Sequence, residues 1–487
     1  MKNESSIKKN YVYKLIYQIV TFMIPILTTP YLSRVLGANG VGIHSYTSSV
    51  ASYFILFSAL GTATYGAREI SQKRDNRKEL SIVFWEVEVI RIISTFICLI
   101  VWLGVSWHAN TFSDLYFILA LQVLATAFDI TWLYEGVENF KIIVIRNILI
   151  KILGIAYLFL FIKEANDLNL YILSTGVIAL IGNISLWKGC RKYIVRVQIE
   201  KLNLCKHIKS VFVYFIPTIA TSVYTVLDKT MIGFITGLEN ENGYYEQSEK
   251  IINIGKSLAT TLPAVIAPRA AYLYALDKKK EMKELVEYSI DFTLFLTIPI
   301  SIGLIGIANK LIPWYLGAEF EKVISLIYIT SPLIVIVGLS GCIGLTYLTP
   351  SGQRARSSKA IIIGAGINFV FNYFLIPNLL SKGAAISSVI AELIITGMYI
   401  YMSKPVISYL SIVKMCYKKC ISAGVMFLVI SHRLFQNMKV NWKTSLLQIV
   451  CGMMAYAFCE VIFRDKSIML IVDYSRKRLS KYYRKTI

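Results

Sequence analysis

Apolar runs of about twenty residues recur from one end of this chain to the other, separated by short polar breaks, and a helix of roughly 20 residues is what a bilayer core requires. Fourteen such runs are legible, over 11–33, 43–63, 82–105, 113–135, 142–162, 169–188, 209–235, 244–268, 289–308, 323–347, 358–377, 383–402, 419–435 and 443–463. With 56% of its 487 residues hydrophobic and only 16% charged, the chain reads as an all-α integral membrane protein. A net charge of +22 would suit a nucleic-acid binder, but the basic residues sit in short loops between apolar runs, which argues against nucleic acid.

Those loops are asymmetric. With the N-terminus inside, about 39 of the 51 Lys and Arg fall on the inner side, about 8 outside and about 4 within runs. Both termini are therefore expected in the cytoplasm. The run from Tyr11 is too long for the core of a cleavable signal and lacks a small-residue cleavage site, so it reads as a retained first helix. The eight cysteines are scattered without a C-x-x-C and read as small apolar residues.

The most telling stretch is Tyr214 to Arg269. Its two apolar runs carry Asp228-Lys229 and Glu249-Lys250, with Lys256 further along. Ionisable side chains at membrane depth cost several kcal/mol each and face a bundle interior or a wet cavity. Both pairs lie at similar depth, so a water-filled site between the two runs is one home for them; a pin holding the runs together is the other. The third run brings Glu86, Glu88 and Arg91 inside, and the fourth brings Asp129 to similar depth. Glu88 and Arg91 share a helix face, as a structural ion pair or as a gate or proton site. Asn368 and Asn372 share a face of the eleventh run and suit interhelical hydrogen bonds.

The chain also repeats itself. Gly42 precedes Arg68 by 26 residues and Gly243 precedes Arg269 by 26, each through an outer turn, an aromatic-polar helix and an inner basic residue. Two six-helix halves in the same orientation fit this pattern. The expected division is 1–206, 207–410 and a C-terminal appendix 411–487 of two helices and a basic cytoplasmic tail, with the basic segment 189–208 as a linker that an amphipathic helix on the inner leaflet would suit.

Enzymatic chemistry is hard to find. Gly255-Lys256-Ser257 would need a glycine at 250 to form a phosphate loop, and that residue is Lys250. The four histidines are far apart in sequence, and no outer loop much exceeds about ten residues. No enzyme, metal site or cofactor is expected.

Five segments carry a resemblance: TPYLSRVLGANGVGIHSY, WLYEGVENFKIIVIRNILIKI, SVYTVLDKTMIG, GYYEQSEKIINI and NYFLIPNLLSKGAAISSVIAE. In this order they resemble the Wzx-type polysaccharide repeat-unit flippases of the MOP exporter superfamily, related to MurJ and the MATE exporters, over nearly the whole chain. The resemblance implies about 14 transmembrane helices, with two parallel six-helix lobes in a V around a central cavity and two extra C-terminal helices. It implies alternating access and transport of an undecaprenyl-pyrophosphate-linked oligosaccharide across the bacterial cytoplasmic membrane. By position, Arg34, Arg68, Lys229, Lys250, Lys256 and Arg269 are then candidates for a cationic cavity, and Asp228, Glu249, Arg91 and Asp129 for coupling or ion pairing. The coupling ion would be a proton or sodium. The partners would be the lipid-linked glycan, the bilayer and glycan polymerase and assembly proteins, and the chain would act as a monomer. A drug exporter and a teichoic acid exporter remain the alternatives.

Overall fold

The structure is a computed structural model that describes residues 2–198, 200 and 202–469, with side chains from Val20 on apart from Phe22 and a few in the helix that begins at Cys205. The basic tail expected after residue 470 lies outside the described residues. Among these residues every regular element is helical and no strand occurs. Eleven helical stretches are long and apolar enough to cross a bilayer. Each of the fourteen apolar runs overlaps helix, although the second, fourth, tenth and thirteenth are interrupted at 60–61, 127–130, 331 and 431–432.

Residues up to Gly243 form one compact unit and those from Tyr244 on form another. The N-terminal unit holds α1 (Lys2–Ala59), α2 (Thr62–Lys73), α3 (Arg77–His108), α4 (Ser113–Thr126), α5 (Thr131–Gly136), α6 (Phe140–Phe161), α7 (Leu168–Cys190) and α8 (Cys205–Thr236). α1 covers the first two apolar runs. The outer turn between them comes down to Gly37, whose φ of 66° redirects the helix at no steric cost. α3 starts at Asn76, whose side chain accepts from the Lys78 and Glu79 backbone N–H groups and so satisfies two of the donors a helix start leaves open.

The fourth run does not stay one helix. It breaks between α4 and α5, where the Asp129 carboxylate accepts the Thr131 N–H at 3.0 Å and starts α5. The break frees backbone carbonyls, and α7 meets them: Asn183 donates to the Ala125 carbonyl at 2.7 Å and Trp187 to that of Phe128 at 2.9 Å. Inside this end of the unit Phe84 stacks on Trp132 with ring centres 5.3 Å apart, within a core that also takes Tyr134 and Leu133.

The linker after α7 is not the amphipathic helix the basic pattern allowed. Its described residues run as turn and coil over 191–198. Side chains of α3 hold its backbone: Ser81 accepts the Val195 N–H at 2.9 Å, Glu86 accepts the Asn203 N–H at 2.8 Å, and Arg77 donates to the Arg191 carbonyl at 2.9 Å. These bonds replace the ones a helix would have made for itself.

In the C-terminal unit lie α9 (Glu239–Ala275, from Tyr244 on), α10 (Lys279–Tyr315), α11 (Lys322–Thr330), α12 (Pro332–Ile343), α13 (Arg354–Leu379), α14 (Ser381–Met402), α15 (Tyr409–Ile430), α16 (Arg433–Gln436) and α17 (Trp442–Ile462). Pro332 divides the tenth apolar run into α11 and α12, because proline has no N–H for the helix ladder and is tolerated at the start of a helix. α12 continues as a π-helical turn over Gly344–Leu348. The thirteenth run is displaced: α15 begins at Tyr409, where Ser408 caps it, rather than at 419, and ends at Ile430. Lysines at 414, 418 and 419 hide its first half from a hydropathy reading.

Candidate functional site

In the N-terminal unit Arg34 and Arg68 are exposed, Asp228 is buried and Lys229 half-buried. α8 is fixed to α1 one residue past that acid-lysine pair. The Thr230 hydroxyl bonds that of Ser49 at 2.9 Å and reaches the Tyr53 hydroxyl at 3.3 Å, while Gly233 lets the Tyr46 ring lie against its backbone. Arg68, near the end of α2, donates to the Tyr214 hydroxyl of α8. Adjacent residues on a helix do not face each other, so Asp228 and Lys229 serve different sides of α8.

Arg91 and Asp129 come together, though not as a salt bridge. Arg91 is 1% exposed. Its Nε donates to the Thr62 hydroxyl at 2.9 Å, and its Nη1 donates to the backbone carbonyl of Asp129. The Asp129 carboxylate is occupied with Thr131, whose N–H and hydroxyl both donate to Oδ1. Glu88 is buried beside Arg91 and Trp132. The guanidinium thus ties α3 to the start of α2 and to the break after α4.

In the C-terminal unit Glu249, Lys250 and Lys256 are half-buried and Arg269 is exposed. Lys250 pairs with Glu246, one turn earlier on the same face of α9, at 3.2 Å. The lysine keeps 33% of its side-chain surface. Arg269 lies over the Tyr272 ring at 5.3 Å and 4.0 Å from Glu281. Ser248 bonds Thr330 at 3.2 Å, which holds this part of α9 to α11. Asn368 and Asn372 are fully buried and hydrogen-bonded to each other at 3.2 Å, and Asn368 donates to Ser388 of α14 at 3.4 Å, as interhelical asparagines would.

Sequence reasoning missed two buried clusters. In the C-terminal unit the Lys419 ammonium sits 2.8 Å from both Asp291 and Asp465, and Ser467 donates to the other Asp291 oxygen at 2.8 Å. The three charged residues are far apart in sequence, and none stands out alone. Asp291 and Asp465 line a polar cavity of about 780 Å³ together with Glu284, Lys414 and Arg464. A second cavity of about 470 Å³, lined by apolar side chains of α10, α15 and α17, contains none of the expected cationic residues. In the N-terminal unit His207 joins Glu86 to Tyr65. The signal for it would have been a lone histidine at a helix start with a carboxylate inside an apolar run.

Among the described residues no group of three or more His, Cys, Asp or Glu is arranged to hold a metal ion. The arrangement is that of a many-span helical membrane protein carrying basic and acidic side chains inside its apolar helices. A family model described as "Polysaccharide biosynthesis protein" matches residues 7–273. The chain belongs to that family. It is 25% identical over 407 residues to a protein of Escherichia coli (strain K12) titled "Putative O-antigen transporter", covering 81% of this chain and 96% of the relative. Among solved structures it resembles "Lipid II flippase MurJ, inward closed conformation" with a TM-score of 0.71 at 15% identity, over 93% of this chain and 99% of that one. An inward-facing multidrug resistance MATE family transporter of the MOP superfamily follows with a TM-score of 0.57 at 13% identity, over 81% and 98%. At these identities the structural likeness shows the fold, which is the MurJ and MATE fold expected from the sequence.

Proposed function

We propose that this chain is a flippase that carries a lipid-linked polysaccharide unit from the inner to the outer leaflet of the bacterial cytoplasmic membrane. The observation that carries the reading is Lys250. It stands about three turns inside an apolar helix, one-third exposed, in a chain of the polysaccharide biosynthesis protein family. A cation at that depth calls for water or an anionic partner, and Glu246 occupies only part of an ammonium that has three donors. A diphosphate joining a lipid to a sugar chain supplies that partner, and a sugar-diphosphate head cannot cross hydrocarbon unaided.

In this reading undecaprenyl-pyrophosphate is the carrier, and Arg34, Arg68, Lys229, Lys250, Lys256 and Arg269 contact its phosphates in turn. Access alternates between the two sides, both termini are cytoplasmic, and the fourteen apolar runs all cross. Asp228 and Glu249 exchange a proton or sodium ion with the cycle. Transport needs no bond to be made or broken in the glycan, so no catalytic residue or cofactor is assigned. The protein works as a monomer alongside the polymerase and assembly proteins that consume the flipped unit.

The test is deletion in the source organism, followed by analysis of lipid-linked sugars on each side of the membrane. Accumulation of one lipid-linked repeat unit inside, relieved by the wild-type chain but not by a Lys229→Ala, Lys250→Ala double variant, is the expected result. Unchanged surface glycan together with altered resistance to cationic drugs would move the assignment to drug export.

A further inference from the structure

Glu86, His207 and Tyr65 form a continuous buried chain that none of these roles uses. His207 Nε2 lies 2.6 Å from Glu86 Oε2, and His207 Nδ1 lies 2.6 Å from the Tyr65 hydroxyl. The other Glu86 oxygen accepts the Asn203 backbone N–H at 2.8 Å. His207 is 0% exposed, and Glu86 and Tyr65 are buried with it. Three helices meet here: α2 gives Tyr65, α3 gives Glu86 and the first turn of α8 gives His207.

The hydrogen-bond pattern admits two protonation states. Glu86 Oε1 accepts the Asn203 N–H, and Oε2 accepts from His207 when Nε2 carries the hydrogen. With a neutral imidazole, Nε2–H donates to Glu86 and Nδ1 accepts the Tyr65 O–H. The trio then carries one buried negative charge, which low-dielectric surroundings disfavour. A proton added at Nδ1 makes an imidazolium that donates in both directions and cancels that charge. The Tyr65 oxygen must then accept, and its own O–H turns to Ser210, the hydroxyl beside it on α8. Uptake of one proton and reversal of one hydrogen bond are a single event.

The charged and titratable groups around the trio come from each neighbouring helix. α2 presents Arg68 and Glu69 to Tyr65, and α8 adds Tyr214, while Lys206 and Lys209 beside His207 in sequence are exposed. α3 contributes Glu86 itself, and the end of α1 over 54–59 has no titratable side chain. Tyr65 stands one turn before Arg68 on α2. Its ring centre is 5.8 Å from that of Tyr214, whose hydroxyl accepts from Arg68.

We propose that Glu86, His207 and Tyr65 are a proton-binding site of this chain, separate from the acid-lysine pairs of α8 and α9. Its link to transport, through Tyr214 to Arg68, rests on the flippase reading; the proton site itself does not. Histidine is the side chain whose charge changes most readily in the physiological range, and here both ring nitrogens are committed to groups that respond to that change.

The test uses the purified full-length protein in detergent, with histidine rings labelled with nitrogen-15, and ring spectra collected from about pH 5 to about pH 9. A His44→Gln, His108→Gln, His432→Gln variant leaves His207 as the one labelled ring and spares the site. The expected result is a single proton uptake at His207, with Nε2 protonated throughout and Nδ1 gaining its hydrogen as pH falls. Glu86→Gln should weaken proton binding about tenfold or more, moving the midpoint down by at least about one pH unit. A His207 ring that keeps one tautomer and never titrates, or a midpoint unmoved by Glu86→Gln, makes the trio a structural pin and overturns the proposal. The wild-type titration decides even where a variant fails to fold. No substrate is involved, so failure here leaves the flippase reading standing, and an unchanged surface glycan on deletion would leave the proton site standing.

Discussion

Gly42 of α1 and Gly243 of α9 cross so closely that neither helix has room for a side chain. A Cβ on Gly42 would stand 1.7 Å from the Glu239 carbonyl oxygen, and one on Gly243 would stand 2.1 Å from that of Ala38. The contact is reciprocal, because Ala38 precedes Gly42 by four residues and Glu239 precedes Gly243 by four. All four residues belong to the N-terminal unit. The same two glycines head the two copies of the 26-residue repeat, so the crossing pairs one motif with itself. In each case the obstacle is backbone, which cannot rotate aside. Gly42→Ala and Gly243→Ala are each expected to destabilise by at least about 3 kcal/mol, the upper end for overpacking. Gly104→Ala is the control: its Cβ meets nothing within 4 Å, and the change should be neutral or stabilise by up to about 1 kcal/mol. Thermal unfolding in detergent measures both, and equal melting of Gly42→Ala and wild type would refute the close crossing.

Lys419 is a fully buried cation between two carboxylates, half-buried Asp291 and buried Asp465. Removing one partner from a buried ionic cluster leaves uncompensated charge, at a cost of about 3–5 kcal/mol. Lys419→Met should therefore cost that much in an unfolding experiment. Adding Asp291→Asn to Lys419→Met should restore part of the loss, because one of the stranded charges is gone. If the double variant is instead less stable by the sum of the two single effects, the cluster is not one electrostatic unit.

Much of this architecture was legible because bilayer-length apolar runs leave few alternatives to helix. The family resemblance likewise rested on local segments such as SVYTVLDKTMIG and GYYEQSEKIINI. What escaped depended on partners distant in sequence. The lysines of α15 made its first half look like loop, although Lys418 reaches the Phe463 carbonyl and Lys419 meets Asp291 and Asp465. The break at Asp129 looked like uninterrupted helix, because nothing local announces that α7 will take the freed carbonyls. His207 looked isolated because Glu86 lies 121 residues away and Tyr65 lies 142. The adjacent acids and lysines drew attention as pairs, yet helix geometry sends neighbours to different faces, and Lys250 found Glu246 one turn back.

That pairing makes Lys250 a test of where its charge is used. A partly exposed ion pair is worth at most about 1 kcal/mol, so Lys250→Ala should melt close to wild type. Its effect should fall on transport, with glycan export down about tenfold or more, while Lys250→Arg keeps most of the activity by keeping the charge. Glu246→Gln removes the competing carboxylate and should not reduce export below the Lys250→Ala level. Full export by Lys250→Ala at normal protein abundance would remove this lysine from the substrate path.

Arg91 separates a structural role from a gating one. Its guanidinium bridges the Thr62 hydroxyl and the Asp129 backbone carbonyl in a site with almost no exposure. A lysine there has one donor centre and cannot span both acceptors. Arg91→Lys is expected to cost about 2 kcal/mol, from one unsatisfied buried group and the ammonium placed beside it. In a Thr62→Val background the same change should cost less, since one of the two bonds is already missing. Export per folded molecule, measured as surface glycan divided by membrane-resident protein, should stay near wild type, because both groups the guanidinium bonds, the Thr62 hydroxyl and the Asp129 backbone carbonyl, are neutral. A tenfold fall in that ratio with unchanged melting would instead make Arg91 part of the moving machinery.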